Sequence, residues 1–198
     1  MNRKLFLFGF ITLILFLLSY KYSLAAGPWK GKIVDTETRE PLEGAVVVAV
    51  WERVYRTPYG TNSYFYEAKE TLTDREGRFE IPSYTPINLL PIISYIKEPE
   101  FTIFKPGYGS LRMALGKYLT GKKGIESYSA KLSGYMIKVS PSIIELQRLK
   151  TKEERLKVLP SGLMYEEAEK KAKNYMKCLN IERIGLGLDP IPEKGDSK

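Results

Sequence analysis

The stretch TLTDREGRFEIP, Thr71 to Pro82, places a hydroxyl, an acid, further charges and a glycine just ahead of an alternating run. A loop of that composition could hold a cation or carry acid–base chemistry. Calcium needs six or more oxygen ligands, and the loop offers only Asp74 and Glu76, without regular ligand alternation. The chain contains no histidine, so the commonest general base and the commonest metal ligand are both missing. Ser–His and Cys–His nucleophile pairs are excluded with it, as are His-ligated zinc sites. Paired carboxylates keep acid–base work open, but no motif supports a carboxylate-based hydrolase. The sequence therefore predicts no catalytic residue, no metal site and no cofactor. Asp74 and Gly77 read instead as a hairpin corner. An aspartate opening a tight turn accepts backbone amides two residues on, and a glycine closing it tolerates positive φ.

Chemistry of another kind is offered by the aromatic series Trp51, Tyr55, Tyr59, Tyr64, Phe65 and Tyr66. Aromatic rings on and beside a hairpin loop can stack on sugars or anchor a protein interface. Trp51, Tyr55, Tyr59, Tyr64 and Tyr66 are accordingly the candidate binding surface. The competing reading is that these rings simply cover the sheet, since aromatics are ordinary strand residues. Cys178 is the only cysteine, so no internal disulfide can form and the fold must rest on its core. Its setting beside Tyr175 and Leu179 suits a small buried hydrophobe; a thiol joining two copies is the alternative.

The elements that would position these residues can be read from periodicity. Lys30 to Asp35 alternates. Ala45 to Arg56, AVVVAVWERVYR, is β-branched and aromatic, with an apolar run up to Trp51 that looks buried on both faces. Thr57 to Ser63 reads as a loop by its Pro, Gly and Asn, Ser63 to Asp74 as a returning strand, and Gly77 to Tyr84 as the next. In that strand Phe79 and Ile81 face one way and Arg78 and Glu80 the other. Asn88 to Tyr95 is predicted as a helical turn. Strand character resumes up to Lys105, where Pro106-Gly107 ends it, with Gly107 as the turn residue. A later strand is expected over Ser127 to Val139.

After Ser140 the pattern becomes helical. Ser140 with Pro141 has the form of an N-cap followed by a first-turn proline. Thr151 and Glu154 have capping-box spacing. A helix from about Met164 to Leu179 would turn Tyr165, Ala168, Ala172, Tyr175, Met176 and Leu179 inward and set Lys170, Lys171, Lys173 and Lys177 outward. That lysine face reads as solvated, with an anionic membrane surface as its sharper alternative.

The charge is +8, from 31 Lys and Arg against 23 Asp and Glu. Such an excess serves solubility or favours anionic surfaces. No tight basic cluster interleaved with aromatics appears, so nucleic acid is not an expected partner. At the start, Arg3 and Lys4 precede the uncharged, predominantly apolar run Leu5 to Leu18, and Ser23 and Ala25 stand before Ala26. That is the pattern of a secretory signal peptide over residues 1–25. The run is shorter than the roughly 20 apolar residues of a spanning helix, though an uncleaved N-terminal anchor stays open. The expected address is export: periplasmic, secreted or attached to the cell envelope.

Three stretches carry a resemblance: GKIVDTETREPLEGAVV from Gly31 to Val47, TDREGRFEI from Thr73 to Ile81, and KPGY from Lys105 to Tyr108. Together they are similar to the carboxypeptidase regulatory-like domain family. The resemblance covers about residues 29–110. It implies a prealbumin-like (transthyretin-like) Greek-key β-sandwich and a binding or structural role without peptidase activity. The expected organisation is a mainly β sandwich over 29–139, a small helical extension over 140–182 and a flexible tail over 183–198. The expected partner is an envelope protein or polysaccharide, with membrane-surface contact as a further candidate. A membrane-anchored accessory subunit is the alternative function.

Overall fold

The structure is a computed structural model that describes residues 27–121, 124–132 and 135–192, together with Phe10. The predicted signal segment, Phe10 aside, and residues 193–198 lie outside the described residues. Two sheets form a sandwich, and short helices follow near the C-terminus.

Ten strands are described: β1 (Trp29–Asp35), β2 (Val46–Thr57), β3 (Gly60–Leu72), β4 (Arg78–Ile81), β5 (Ser94–Ile96), β6 (Glu100–Phe104), β7 (Leu111–Met113), β8 (Tyr128–Leu132), β9 (Tyr135–Ser140) and β10 (Ile143–Leu146). The helices are α1 (Gly116–Leu119), α2 (Lys152–Lys157), α3 (Glu166–Lys171) and α4 (Lys173–Gly185). One sheet runs β4-β1-β10-β9-β8 and the other β3-β2-β6-β7, with β5 pairing to the far end of β2.

The apolar run of β2 is explained by what lies on each side of it. Val47, Ala49 and Trp51 join Ile33, Phe79, Phe101, Ile137 and Ile144 in the core between the sheets. Val46, Val48 and Val50 face the other way, onto Ala168, Ala172, Tyr175 and Leu179 of the C-terminal helices. A strand covered on both faces needs no polar alternation. The helical extension is thus a third layer on the β2 sheet. Trp29 and Trp51 meet edge to face at 5.5 Å, and Trp29 meets Phe101 at 5.9 Å, the geometry aromatic quadrupoles favour. Both buried clusters described are built from residues between Trp29 and Leu179, so a chain beginning at Ala26 carries every core residue described.

Several elements depart from the sequence reading. Pro141 does not start a helix. It and Ser142, at φ 60°, form the two-residue connection between β9 and β10, and β10 then pairs in parallel with β1, Ile144 opposite Ile33. Proline's fixed φ serves the first corner of a turn as well as the first turn of a helix, so local sequence did not separate the two. Of the helical turn expected over Asn88 to Tyr95, a single turn forms: Leu90 O accepts from the Ile93 and Ser94 amides at 3.3 and 2.9 Å, and β5 takes over from Ser94. Strands β2 and β3 extend to a hairpin whose tip is only Pro58-Tyr59, with Thr57 opposite Gly60, so the loop is shorter than expected.

The terminal helix is broken. Ala172, at φ −95° and ψ 62°, separates α3 from α4, while Ala168, Ala172, Tyr175 and Leu179 keep the predicted inward face. The helix also runs on to Gly185. Leu186 is buried, and the Asn180 side chain exchanges hydrogen bonds with the Ile191 backbone at 2.8 and 3.0 Å. Residues 183–192 are therefore tied back to the body at Leu186 and Ile191, with most of the residues between them exposed, instead of forming a free tail. The capping box at Thr151 is present, Thr151 accepting from the Glu154 amide at 3.1 Å and Glu154 returning the bond.

The corner at Asp74 is real, yet it is not a hairpin. Strands β3 and β4 belong to different sheets. The Asp74 carboxylate accepts from the Arg78 amide at 2.7 Å, and the Gly77 amide donates to the Asp74 carbonyl at 2.9 Å. Thr73 Oγ1 accepts from Ala45 N and donates to Leu42 O, tying the corner to the neighbouring loop. Thr73 and Asp74 are consumed in carrying the chain from one sheet to the other.

Candidate functional site

The predicted aromatic surface divides in two. Trp51 is core, 2% exposed and packed edge-on against Trp29 and Tyr84, and it cannot be part of a binding surface. Period-two alternation explains this: Trp51 shares the phase of Val47 and Ala49, which faces the opposite sheet. Tyr59, at the hairpin tip, is 100% exposed, and Tyr64 is 55% exposed. Tyr55 and Tyr64 meet edge to face at 5.7 Å. A bulge between Trp51 and Glu52 of β2 leaves Tyr66 of β3 without an opposite residue, and Tyr66 packs against the edge of the core near Tyr84.

Tyr66 also holds the segment that sequence reasoning missed. Its hydroxyl accepts from the Ile87 amide at 2.9 Å and donates to the Ile87 carbonyl at 3.0 Å. Arg53 lies over the Tyr66 ring at 4.9 Å and donates to the same carbonyl at 3.2 Å. The loop from Ile87 to Ile93 is thereby fixed beside the hairpin. Within it Asn88 acts as a staple: Oδ1 accepts from the Leu90 amide at 3.2 Å and Nδ2 donates to the Ser94 carbonyl at 2.8 Å. The Ser94 amide donates to Leu90 O, and Ile93 O accepts from the Arg56 amide.

With its backbone so engaged, the loop turns its aliphatic side chains out. Leu89 is 82% exposed, Ile92 75% and Ile87 65%, and Leu90 and Ile93 are about half exposed. Tyr95 sits beneath, with Arg56 stacked over its ring at 5.2 Å. The hairpin side forms a groove of about 480 Å³ lined by Arg53, Tyr55, Asn62, Tyr64 and Tyr66. Aliphatics exposed singly need no explanation, but five on one seven-residue loop do. The sequence signal was an apolar stretch with three prolines and no period; periodicity, the usual guide to burial, is silent there.

The buried carboxylates offer no comparable site. Asp35 accepts from the Glu37 and Thr38 amides at 2.7 and 3.0 Å. Burial would raise its pKa, but those amides, the Tyr108 hydroxyl and nearby Arg148 together hold it below the ordinary range. Glu52 accepts from the Tyr165 hydroxyl at 2.9 Å and faces Lys97 at 3.4 Å. Glu145 is paired with Arg39 and Lys138. Glu182 is held by Arg155 through two bonds of 2.6 and 2.7 Å and accepts the Gly107 amide at 2.9 Å. The expected turn at Gly107, φ 82°, is thus also the point where the β6–β7 connection docks on α4. Each acid is neutralised by its own partners, as structural acids are. Among the described residues no group of three or more Cys, Asp or Glu side chains could hold a metal ion.

Cys178, on α4, is half-buried against the cluster shared by β2 and the C-terminal helices, and burial pushes its thiol pKa up. On the outer side of α4, Lys173, Lys177, Met176, Ile181 and Ile184 line a second groove of about 550 Å³. The lysine face is partly engaged: Lys171 pairs with Glu67 and Lys170 with Glu166. Among the described residues no helix is long and apolar enough to cross a membrane. No protein-family model, curated protein or solved structure matches the chain.

Proposed function

We propose that this chain is an exported, non-catalytic β-sandwich module that attaches to a component of the cell envelope through the hairpin end of the sandwich. The observation that carries the reading is the loop Ile87 to Ile93. Its backbone is tied down by Tyr66, Asn88 and Arg56, while its aliphatic side chains face solvent. Ordering a loop costs conformational entropy, and an ordered loop that displays apolar side chains is built to meet something apolar. The dispersed, ion-paired carboxylates agree with a module that binds rather than reacts. The resemblance to carboxypeptidase regulatory-like domains points the same way, and a sandwich of two sheets is compatible with it. The apolar run Leu5 to Leu18 supports export.

The test is expression of the full chain in a bacterial host, fractionation, and N-terminal sequencing of the recovered protein. A mature start at Ala26 in the envelope fraction is expected. An intact N-terminus would instead favour a membrane-held accessory subunit. In the same experiment the triple variant Ile87→Ser, Leu89→Ser, Ile92→Ser should be exported normally yet released from the envelope. Equal retention of variant and parent would overturn the assignment of the surface.

A further inference from the structure

We propose that the component met by the hairpin end is the lipid bilayer itself: Ile87 to Ile93 insert among the acyl chains of an anionic membrane, and Arg53 and Arg56 take the headgroup level. This inference rests on the reading of the hairpin end as the attachment surface and names its ligand.

Three observations carry it. The first is apolarity at a reduced backbone cost. Entering hydrocarbon is prohibitive for a loop with unpaired N–H and C=O groups. Here the Ile87 amide and carbonyl are taken by Tyr66, the Leu90 amide by Asn88, the Leu90 carbonyl by Ser94, and the Ile93 carbonyl by the Arg56 amide. The loop can exchange water for lipid around Leu89 and Ile92 with the backbone groups of Ile87, Leu90 and Ile93 already satisfied.

The second is charge. Residues 53–66 and 82–96 contain Arg53 and Arg56 and no carboxylate. An aliphatic tip backed by cations alone complements anionic headgroups. Both guanidinium groups lie against tyrosine rings, Arg53 over Tyr66 and Arg56 over Tyr95, which sets the cations beside the loop rather than at its apolar tip.

The third is the tyrosines. Tyr59 and Tyr64 are exposed and Tyr95 is partly so. An apolar ring with a polar hydroxyl prefers the boundary between headgroups and acyl chains. Sugar recognition by this end is less well served: stacking uses flat aromatic faces with free hydrogen-bonding groups around them, and the most exposed side chains of the loop are aliphatic.

The experiment uses the purified chain from Ala26 onward, co-sedimented with large unilamellar vesicles. One vesicle set is phosphatidylglycerol mixed equally with phosphatidylcholine, and the other is phosphatidylcholine alone. Wild type should bind the anionic vesicles, lose several-fold in affinity between low and physiological salt, and bind the neutral vesicles more weakly. Each aliphatic-to-Ser change should weaken binding by roughly tenfold, and Arg53→Gln with Arg56→Gln should abolish the preference for the anionic set. Circular dichroism melts must show the variants folded, Arg53→Gln above all, since Arg53 is half-buried against Tyr66 and bonded to the Ile87 carbonyl. If folded wild type ignores both vesicle sets but self-associates in sedimentation velocity, and Leu89→Ser abolishes that, the lipid proposal is overturned while the attachment surface stands as a contact between copies. If wild type neither binds vesicles nor self-associates, and the triple variant is retained in the envelope fraction like the parent, both readings fall.

Discussion

Replacing Gly77 by alanine should be among the most damaging single-methyl additions to this chain, and the structure says by how much. Gly77 has φ 72°, a region that costs an L-residue roughly 1–2 kcal/mol. The added methyl would also lie 2.5 Å from the Ile33 carbonyl oxygen and 3.1 Å from both Leu42 N and the Pro41 side chain. None of these is the free end of a flexible side chain. The Ile33 carbonyl accepts from Leu42 N at 3.0 Å, and the Ile33 amide donates to Gly77 O at 2.8 Å, so relief requires moving β1 and two hydrogen bonds. Displacing them adds about 1–3 kcal/mol at the level of disturbed buried hydrogen bonds. A total of about 2–5 kcal/mol is expected. Gly107→Ala is the matched control: φ is 82°, but nothing lies within 4 Å of the added methyl, so only the conformational cost of about 1–2 kcal/mol remains. Urea titration followed by circular dichroism measures both, with unchanged m-values required for the comparison. Equal losses for the two alanines would refute the claim that the corner is locked against β1.

Three further outcomes are expected. Arg155→Ala leaves Glu182, which is 2% exposed, with only the Gly107 amide as a described partner and should cost about 3–5 kcal/mol, whereas Arg155→Met combined with Glu182→Gln should recover part of that loss in the same urea titration. Leu179→Ala opens a cavity under α4, where Leu179 is fully buried, and should cost about 2–5 kcal/mol; loss of protection in α3 and α4 by hydrogen exchange, with β1 and β10 retained, would locate the effect. In alkali, burial and the acceptor Glu52 push the Tyr165 pKa up to about 12, and burial with the Tyr66 hydrogen bond pushes Tyr84 up to about 12 as well. The unfolded chain releases these protons near pH 10 while the folded chain keeps them, so stability is unaffected below about pH 10 and falls as pH rises through 12. Tyr165→Phe should make that fall shallower in pH-dependent melts.

Much of the fold was legible because its cues are local. The double-faced burial of β2 shows in an apolar run too short for a helix and rich in valine. Phe79 and Ile81 alternate with charges because only one face of β4 is covered. Thr151 and Glu154 have the spacing that two reciprocal hydrogen bonds demand, and they make them. Ala168, Ala172, Tyr175 and Leu179 share a face even though α3 and α4 are separate helices. The β10 strand was illegible because Ser-Pro suits a helix start and a turn equally. Its strand identity comes from pairing with β1, more than a hundred residues earlier.

The attachment surface shows the same division more sharply. The sequence alone established that this chain has no histidine chemistry and no internal disulfide, that it is mainly β with helices after it, and that aromatic residues gather around residues 51–66. Those conclusions rest on residue identity and on spacing within one element. Tertiary structure decided that Trp51 is core while Tyr59 is free, that TDREG crosses between sheets instead of closing a hairpin, and that Ile87 to Ile93 stand in solvent. Exposure is a property of what lies opposite, and for an aperiodic loop nothing in the neighbouring residues reports it. Only when Tyr66, Asn88 and Arg56 are brought to the loop backbone does an apolar stretch that composition would assign to the interior become the most exposed aliphatic surface described on the molecule.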